Sequence, residues 1–201
     1  MQKTALITGA TSGIGRATAR IFAENGISLV LCGRRQERLD ELKNELEKKV
    51  KITTLRFDVG NRKSVFSAVE SLSDEWRKSI HILINNAGNA HGLAPFQEAD
   101  LDDFDAMINS NIKGLLYVSK AVIPLLISNK NGHIVNLSSI AGKETYPNGS
   151  VYCATKHAVE AISQGMRMDL LPCGIKVTNV APGAVETEFS LVRFKGDQNR
   201  S

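Results

Sequence analysis

Six short β-rich runs, separated by longer stretches with helical spacing, set the tightest limit on what this chain can fold into. The runs are TALIT (4–8), SLVLC (28–32), KITTLRF (51–57), HILIN (81–85), HIVNLS (133–138) and KVTNVA (176–181). Helical patterning fills 13–25, 36–49, 62–78, 101–128 and 151–171. In RQERLDELKNELEKK the apolar positions Leu39, Leu42 and Leu46 recur at three- and four-residue spacing, which gives a helix one stripe to lay on a sheet. Strands this apolar, joined through helices, require right-handed βαβ crossovers and burial on both faces. The expected fold is α/β, a doubly wound parallel sheet of at least six strands in the order 3-2-1-4-5-6 with helices on both faces. All of 1–201 reads as one domain, and only the last dozen residues, RFKGDQNRS above all, lose the pattern and read as loop. With so little chain after it, strand six is expected to be an uncovered edge.

Composition narrows the function classes. Apolar residues make up 42% of the chain, enough for a sizeable core. The net charge of +4 and isoelectric point near 9.0 come from lysines and arginines interspersed with glutamates, without the basic or aromatic-interleaved tract of a nucleic-acid binder. Cys32, Cys153 and Cys173 have no metal-ligand spacing and are odd in number, so they read as small apolar residues in a reducing compartment. The N-terminus MQKTALITGA enters a strand at once, with no signal-peptide anatomy, and no apolar run approaches the roughly 20 residues that span a bilayer. The expectation is a cytoplasmic protein with a small-molecule substrate, no nucleic acid and no membrane.

The turn between the first strand and first helix reads TGATSGIG, with Gly9, Gly13 and Gly15. Such a turn lets backbone N–H groups approach a pyrophosphate at a helix N-terminus, although an ordinary glycine-rich turn has the same composition. Ile14-Gly15-Arg16 lacks the Lys-Ser/Thr ending of a nucleoside-triphosphate loop. After strand two, a site for NAD would carry an acid for the ribose 2′-hydroxyl; this chain has Gly33, Arg34 and Arg35. A guanidinium binds a phosphate bidentately, so the pair favours NADP over NAD. Asp58, at the end of strand three, can accept from an adenine amino group or cap the following helix. The small residues of NNAG (85–88), including Asn86, Ala87 and Gly88, allow a ligand close to the backbone after strand four.

In SVYCATKHAV, Tyr152 and Lys156 stand four apart and share a helical face. Alone, this is either a surface contact or a lysine placed to ionise a phenol. Taken in order, TGxxxGIG, NNAG, NSNIKG with Asn111, NLSSIAG with Ser139, and YxxxK resemble the short-chain dehydrogenase/reductase family from Thr4 to about Phe189. The resemblance implies a Rossmann fold and hydride exchange between a carbinol carbon and NADP. It implies Tyr152 as general acid/base and Ser139 as the orienter of the substrate oxygen, with Ser138 as its rival. Lys156 would lower the Tyr152 pKa and hold the nicotinamide ribose, and Asn111 would bind a water linking Lys156 to solvent. A free phenol titrates near pH 10, so work near neutrality needs about 4 kcal/mol of preference for phenolate. The implied cofactor contacts add Thr11, Ser12, Ile14, Val59, Pro182, Gly183, Val185 and Thr187.

GRRQERL together with FSLVRFKGD is similar to the branch of NADP-dependent 3-hydroxy acid dehydrogenases. Such a substrate needs one strong anion anchor, for which Arg193, or else Lys195, is expected. Reduction of 3-oxoacyl carriers or hydrophobic ketones, or NADP sensing without turnover, are the alternatives. Family members commonly continue with a further helix pair and a seventh strand, so this chain is expected to lack that C-terminal segment. A homodimer or homotetramer is implied, with the helices near 101–128 and 151–171 in the dimer contact.

Overall fold

The computed structural model describes residues 3–185 and 187–193. Six parallel strands form one sheet, β1 (Thr4–Thr8), β2 (Ser28–Gly33), β3 (Ile52–Arg56), β4 (Ile80–Asn85), β5 (His133–Leu137) and β6 (Lys176–Val180), in the order β3-β2-β1-β4-β5-β6. This is the expected order. The direction of winding reverses between β1 and β4, whose register pairs Leu6 with Leu83 and Ile7 with Ile84. Among the described residues β6 pairs only with β5.

Side-chain alternation along each strand splits the core into two layers. On one face Leu6, Val30, Leu83 and Ile134 meet helix α3 (Arg62–Glu70) through Val65 and helix α6 (Leu115–Ser128) through Val118, Val122 and Leu126. On the other, Ala5, Ile7, Leu29, Leu31 and Ile84 meet α1 (Gly13–Glu24) through Ala19 and Ala23, and α2 (Gln36–Leu46) through Leu39, Leu42 and Leu46. The stripe Leu39, Leu42 and Leu46 read from the sequence thus lies on the sheet as expected.

Three helical expectations change. The helix expected over 62–78 is two, α3 and α4 (Asp74–Ser79). Ser71 closes α3, its hydroxyl donating to the Ala68 carbonyl, and buried Leu72 turns inward. Ser73 then opens α4 in extended backbone ahead of Asp74 and Glu75, acids suited to a helix N-terminus. The helix over 101–128 is continuous but not uniform: α5 (Leu101–Ile108) and α6 are joined by a wider π turn, Asn109–Gly114. By length and composition alone Leu101–Ser128 could cross a membrane, although Lys113 and Lys120 interrupt its apolar run. Its stripe of Val118, Val122 and Leu126 is buried in the core of the sheet, which accounts for its apolar character. The third change is a helix where a loop was expected, α8 (Glu188–Arg193).

A buried polar chain fixes the last long helix, α7 (Ser150–Leu170), to the sheet. Asn85 Nδ2 donates to Ser119 Oγ and Asn136 Oδ1, both at 2.9 Å, and Asn136 Nδ2 donates to Ser163 Oγ at 2.9 Å. Ser163 in turn donates to the Val159 carbonyl. All four side chains are buried, so each bond forms where water cannot substitute for it. Asn136→Ala leaves donors on Asn85 and acceptors on Ser163 unmatched. It is expected to lower unfolding free energy by about 1–3 kcal/mol in urea denaturation.

Candidate active site

The carboxyl ends of the strands converge on a cleft of about 980 Å³, at the upper end of the range for small-molecule sites. Its floor is the β1–α1 loop. Gly9 and Gly13 have φ of +64° and +50°, left-handed values that disfavour side chains. A Cβ on Gly15 would lie 2.4 Å from the Gly9 carbonyl oxygen, so that glycine lets α1 abut the strand end without itself lining the cleft. Thr11, Ser12, Gly13 and Ile14 line it, with the N-terminus of α1 pointing into the same space. Asn86 ties this loop to β4: its Nδ2 donates to the carbonyls of Thr8 and Gly9 at 2.9 and 3.2 Å. Asn86, Ala87 and Gly88 form the next part of the wall.

At one end stand Arg34, Arg35, Asp58 and Val59. Gly33 has no room for a side chain, since a Cβ would meet Thr11 Cγ2 at 2.9 Å; the missing acid is a packing requirement as well as a charge preference. Arg34 lies 3.8 Å from Asp58. Arg35 donates to Thr11 Oγ1 at 3.2 Å and to Glu188 at 3.3 Å. Asp58 does not cap α3: its Oδ1 accepts from Gly60 N at 2.9 Å, and Asn61 caps the helix by accepting from Ser64 N at 3.0 Å.

At the other end α7 presents Tyr152 and Lys156, both buried. Lys156 Nζ donates to the Leu137 carbonyl at 2.9 Å and stands 5.8 Å from the centre of the Tyr152 ring. Ser139 lines the cleft and accepts from Ala141 N at 3.1 Å. The Ser138 hydroxyl instead donates to the Lys156 carbonyl at 3.3 Å, as opposite facing of neighbouring residues requires. Pro182, Gly183, Val185 and Thr187 cover the cleft between the two ends, Thr187 standing over Gly13.

Asn111 is brought near Lys156 but behind the wall. Its Nδ2 donates to the Asn89 carbonyl and Thr155 Oγ1, and its Oδ1 accepts from Asn89 N. A Cβ on Gly88 would lie 3.0 Å from that Oδ1 and 3.6 Å from Lys156 Nζ. The side chain thus braces the Gly88–Asn89 loop against α7, and the π turn is what carries it inward. His157 bonds back to the Cys153 carbonyl on its own helix.

Arg193 also reaches this end. Its Nη2 donates to Tyr146 Oη at 3.0 Å and its Nε to the Gly92 carbonyl at 3.3 Å, and the guanidinium is 5.7 Å from the Tyr152 ring centre. Lys195 falls outside the described residues. Sequence reasoning missed Tyr146, Phe189, whose ring is 5.9 Å from that of Tyr152, and Glu188. Tyr146 sits in an irregular loop and Phe189 and Glu188 in a helix of six residues, so no periodicity marked them.

The electrostatics differ from the simple picture of a lysine acidifying a phenol. Burial raises the Tyr152 pKa; hydrogen bonding with Ser139 and the charge of Arg193 act in the opposite direction without cancelling it. Burial pushes Lys156 down to about 8. The phenol is therefore neutral here, and ionising it requires added positive charge in the cleft. Between about pH 8 and the ordinary lysine value of 10.5 the unfolded chain holds the Lys156 proton and the folded protein has released it. Stability of the ligand-free protein should rise with pH across that window. Lys156→Met should remove the rise and add on the order of 2 kcal/mol at pH 7, both read from urea midpoints.

A family model described as short chain dehydrogenase matches residues 3–197. Over 202 residues, covering 100% of this chain and 80% of the relative, the chain is 49% identical to sulfoacetaldehyde reductase 2 of Chromohalobacter salexigens. It is 45% identical to the NADP-dependent 3-hydroxy acid dehydrogenase YdfG of Escherichia coli, over 98% of this chain and 78% of that one. Among solved structures, the closed form of serine dehydrogenase complexed with NADP+ superposes with a TM-score of 0.92 at 45% identity, again over 98% and 78%.

Proposed function

The chain belongs to the short-chain dehydrogenase family, and from that premise we propose that it is an NADP-dependent oxidoreductase of small anions bearing a hydroxyl or carbonyl on the β carbon. The observation that carries this reading is the guanidinium of Arg193 beside the phenol of Tyr152 at one end of the cleft. The names of the relatives support it through shared chemistry. In a 3-hydroxy acid such as serine, and in sulfoacetaldehyde, one carbon separates the anionic head from the reacting carbon. An anchor and a proton carrier at fixed separation would serve both.

The cleft suits the cofactor. Backbone packed so closely that a Cβ would clash, a helix N-terminus and two arginines fit a pyrophosphate and a ribose phosphate, held by the loop from Gly9 to Gly15 and by Arg34 and Arg35. Bound NADP supplies the hydride exchange. The protein's own part is to move a proton and hold the substrate. In the oxidative direction Tyr152 takes the hydroxyl proton as the carbinol carbon becomes a carbonyl, and in the reductive direction it returns it. Ser139 hydrogen-bonds the reacting oxygen. Arg193, with Tyr146 behind it, receives the carboxylate or sulfonate. Lys156 adds its charge beside the phenol, and Asn111 holds the loop that keeps it there. The exposed Leu116, Ile127 and Met168 on α6 and α7 support assembly into a homodimer or homotetramer, and the three free thiols suit a reducing compartment.

Purified protein mixed with NADP+ or NAD+ and serine, 3-hydroxybutyrate or a simple alcohol should form reduced nicotinamide with NADP+ and the acids. In the reductive direction, sulfoacetaldehyde should be reduced in preference to a 3-oxoacyl thioester. Preference for the thioester would move the assignment to acyl carriers, and tight NADPH binding without turnover to a sensor. Tyr152→Phe should lower turnover by about 10²–10⁴ while leaving NADPH affinity nearly unchanged. Arg193→Ala should raise KM for the anionic substrate at least tenfold, roughly the effect of losing a charge-assisted pair; an unchanged KM removes Arg193 from its role.

A further inference from the structure

Arg38, inside the first turn of α2, donates through Nη1 to both carboxylate oxygens of Glu188, at 2.6 and 2.8 Å. Arg35 makes a weaker contact with the same carboxylate at 3.3 Å. Glu188 opens α8, the helix whose other end holds Arg193. Hydrogen bonding with Arg38, assisted by Arg35, holds the Glu188 carboxyl below the usual carboxylate range, so it is an anion at neutral pH. A carboxylate therefore rests on one of the two guanidinium groups assigned to the ribose phosphate. The three side chains remain 38–43% exposed, so the contact is open to exchange with an incoming anion.

We propose that Glu188 is a specificity-determining residue for the cofactor, an internal anion that the ribose 2′-phosphate must displace from Arg35 while Arg38 retains it. The inference rests on the NADP reading above. A phosphate carries up to two negative charges and offers Arg35 a better partner than a shared carboxylate at 3.3 Å. Two anions on one guanidinium repel, and Arg38 provides the alternative seat that lets Glu188 withdraw without becoming unpaired. A dinucleotide with a free 2′-hydroxyl has no charge to exchange and gains nothing from the displacement. Glu188 thus works against NADP affinity, and Arg38 limits that cost although it does not touch the phosphate.

Equilibrium titration with NADPH and with NADH, followed by nicotinamide fluorescence, tests this without turnover. Glu188→Gln should tighten NADPH about two- to fivefold, the range an exposed ion pair commands, without tightening NADH. The gain should shrink at high salt. Arg38→Gln should weaken NADPH by a similar factor, because Glu188 then falls wholly on Arg35, and adding Glu188→Gln should restore it. The proposal is overturned if Glu188→Gln weakens NADPH, changes NADPH and NADH equally, or leaves both unchanged. It is overturned as well if the loss in Arg38→Gln persists in the double variant, which would put Arg38 on the phosphate itself. Wild-type protein that binds NADPH no more tightly than NADH would instead sink the NADP reading, before any variant is compared.

Discussion

The junction of β1 and β4 is the constraint on which the rest of the site depends. A parallel sheet leaves a crevice where its winding reverses, and here the two strand ends bordering that crevice are locked together. Thr8 Oγ1 accepts from the backbone N–H groups of Asn86 and Ala87, both at 3.0 Å, and donates to the Ile84 carbonyl. Asn86 returns two bonds to the β1 side. These satisfy backbone groups that the end of a ladder leaves unpaired, in a region too crowded for side chains on Gly9 or Gly15. The glycine loop is rigid because its neighbour is bonded to it, and a rigid loop can present N–H groups to a phosphate at fixed positions.

The second anchored element is α7, and its anchoring is polar. The chain from Asn85 through Asn136 to Ser163 fixes the helix against β4 and β5, while Asn111 and Thr155 fix the turn that bears Tyr152 and Lys156. That turn holds an ammonium where burial opposes its charge, with one carbonyl as its hydrogen-bond partner among the described contacts. Such an arrangement is unfavourable for folding. The Lys156 ammonium lines the same cleft as the phenol, 5.8 Å from the ring centre.

Much of this was legible in the sequence because it rests on period and on glycine. Strand order followed from six apolar runs and the helices between them, and the stripe of α2 found a sheet face to cover, as expected. What was not legible left no mark on the local pattern or depends on contacts distant in sequence. The π turn leaves the apolar pattern of 101–128 nearly intact, so the helix reads as uniform although its middle turn swings Asn111 inward. The break at Ser71–Ser73 was hidden by apolar and charged residues that continue the helical rhythm on either side. α8 is too short to show a period, and its Glu188 is paired with Arg38 across 150 positions of chain.

The same short helix explains why the two ends of the cleft should be considered together. Its first residue, Glu188, sits on the arginines of the adenosine end, and its last, Arg193, closes on Tyr146 and Gly92 beside the phenol. Between them Phe189 packs toward Tyr152, and the preceding Thr187 covers Gly13. A change of charge at one end therefore acts on an element whose other end carries Arg193. Six helical residues rise only about 9 Å, too short a rod to bend much between its termini. The arginine cluster and Arg193 are then not independent features of one wall: Arg35 and Arg38 hold the first residue of a short helix of which Arg193 is the last. An anion entering at the first end meets the protein's own carboxylate there.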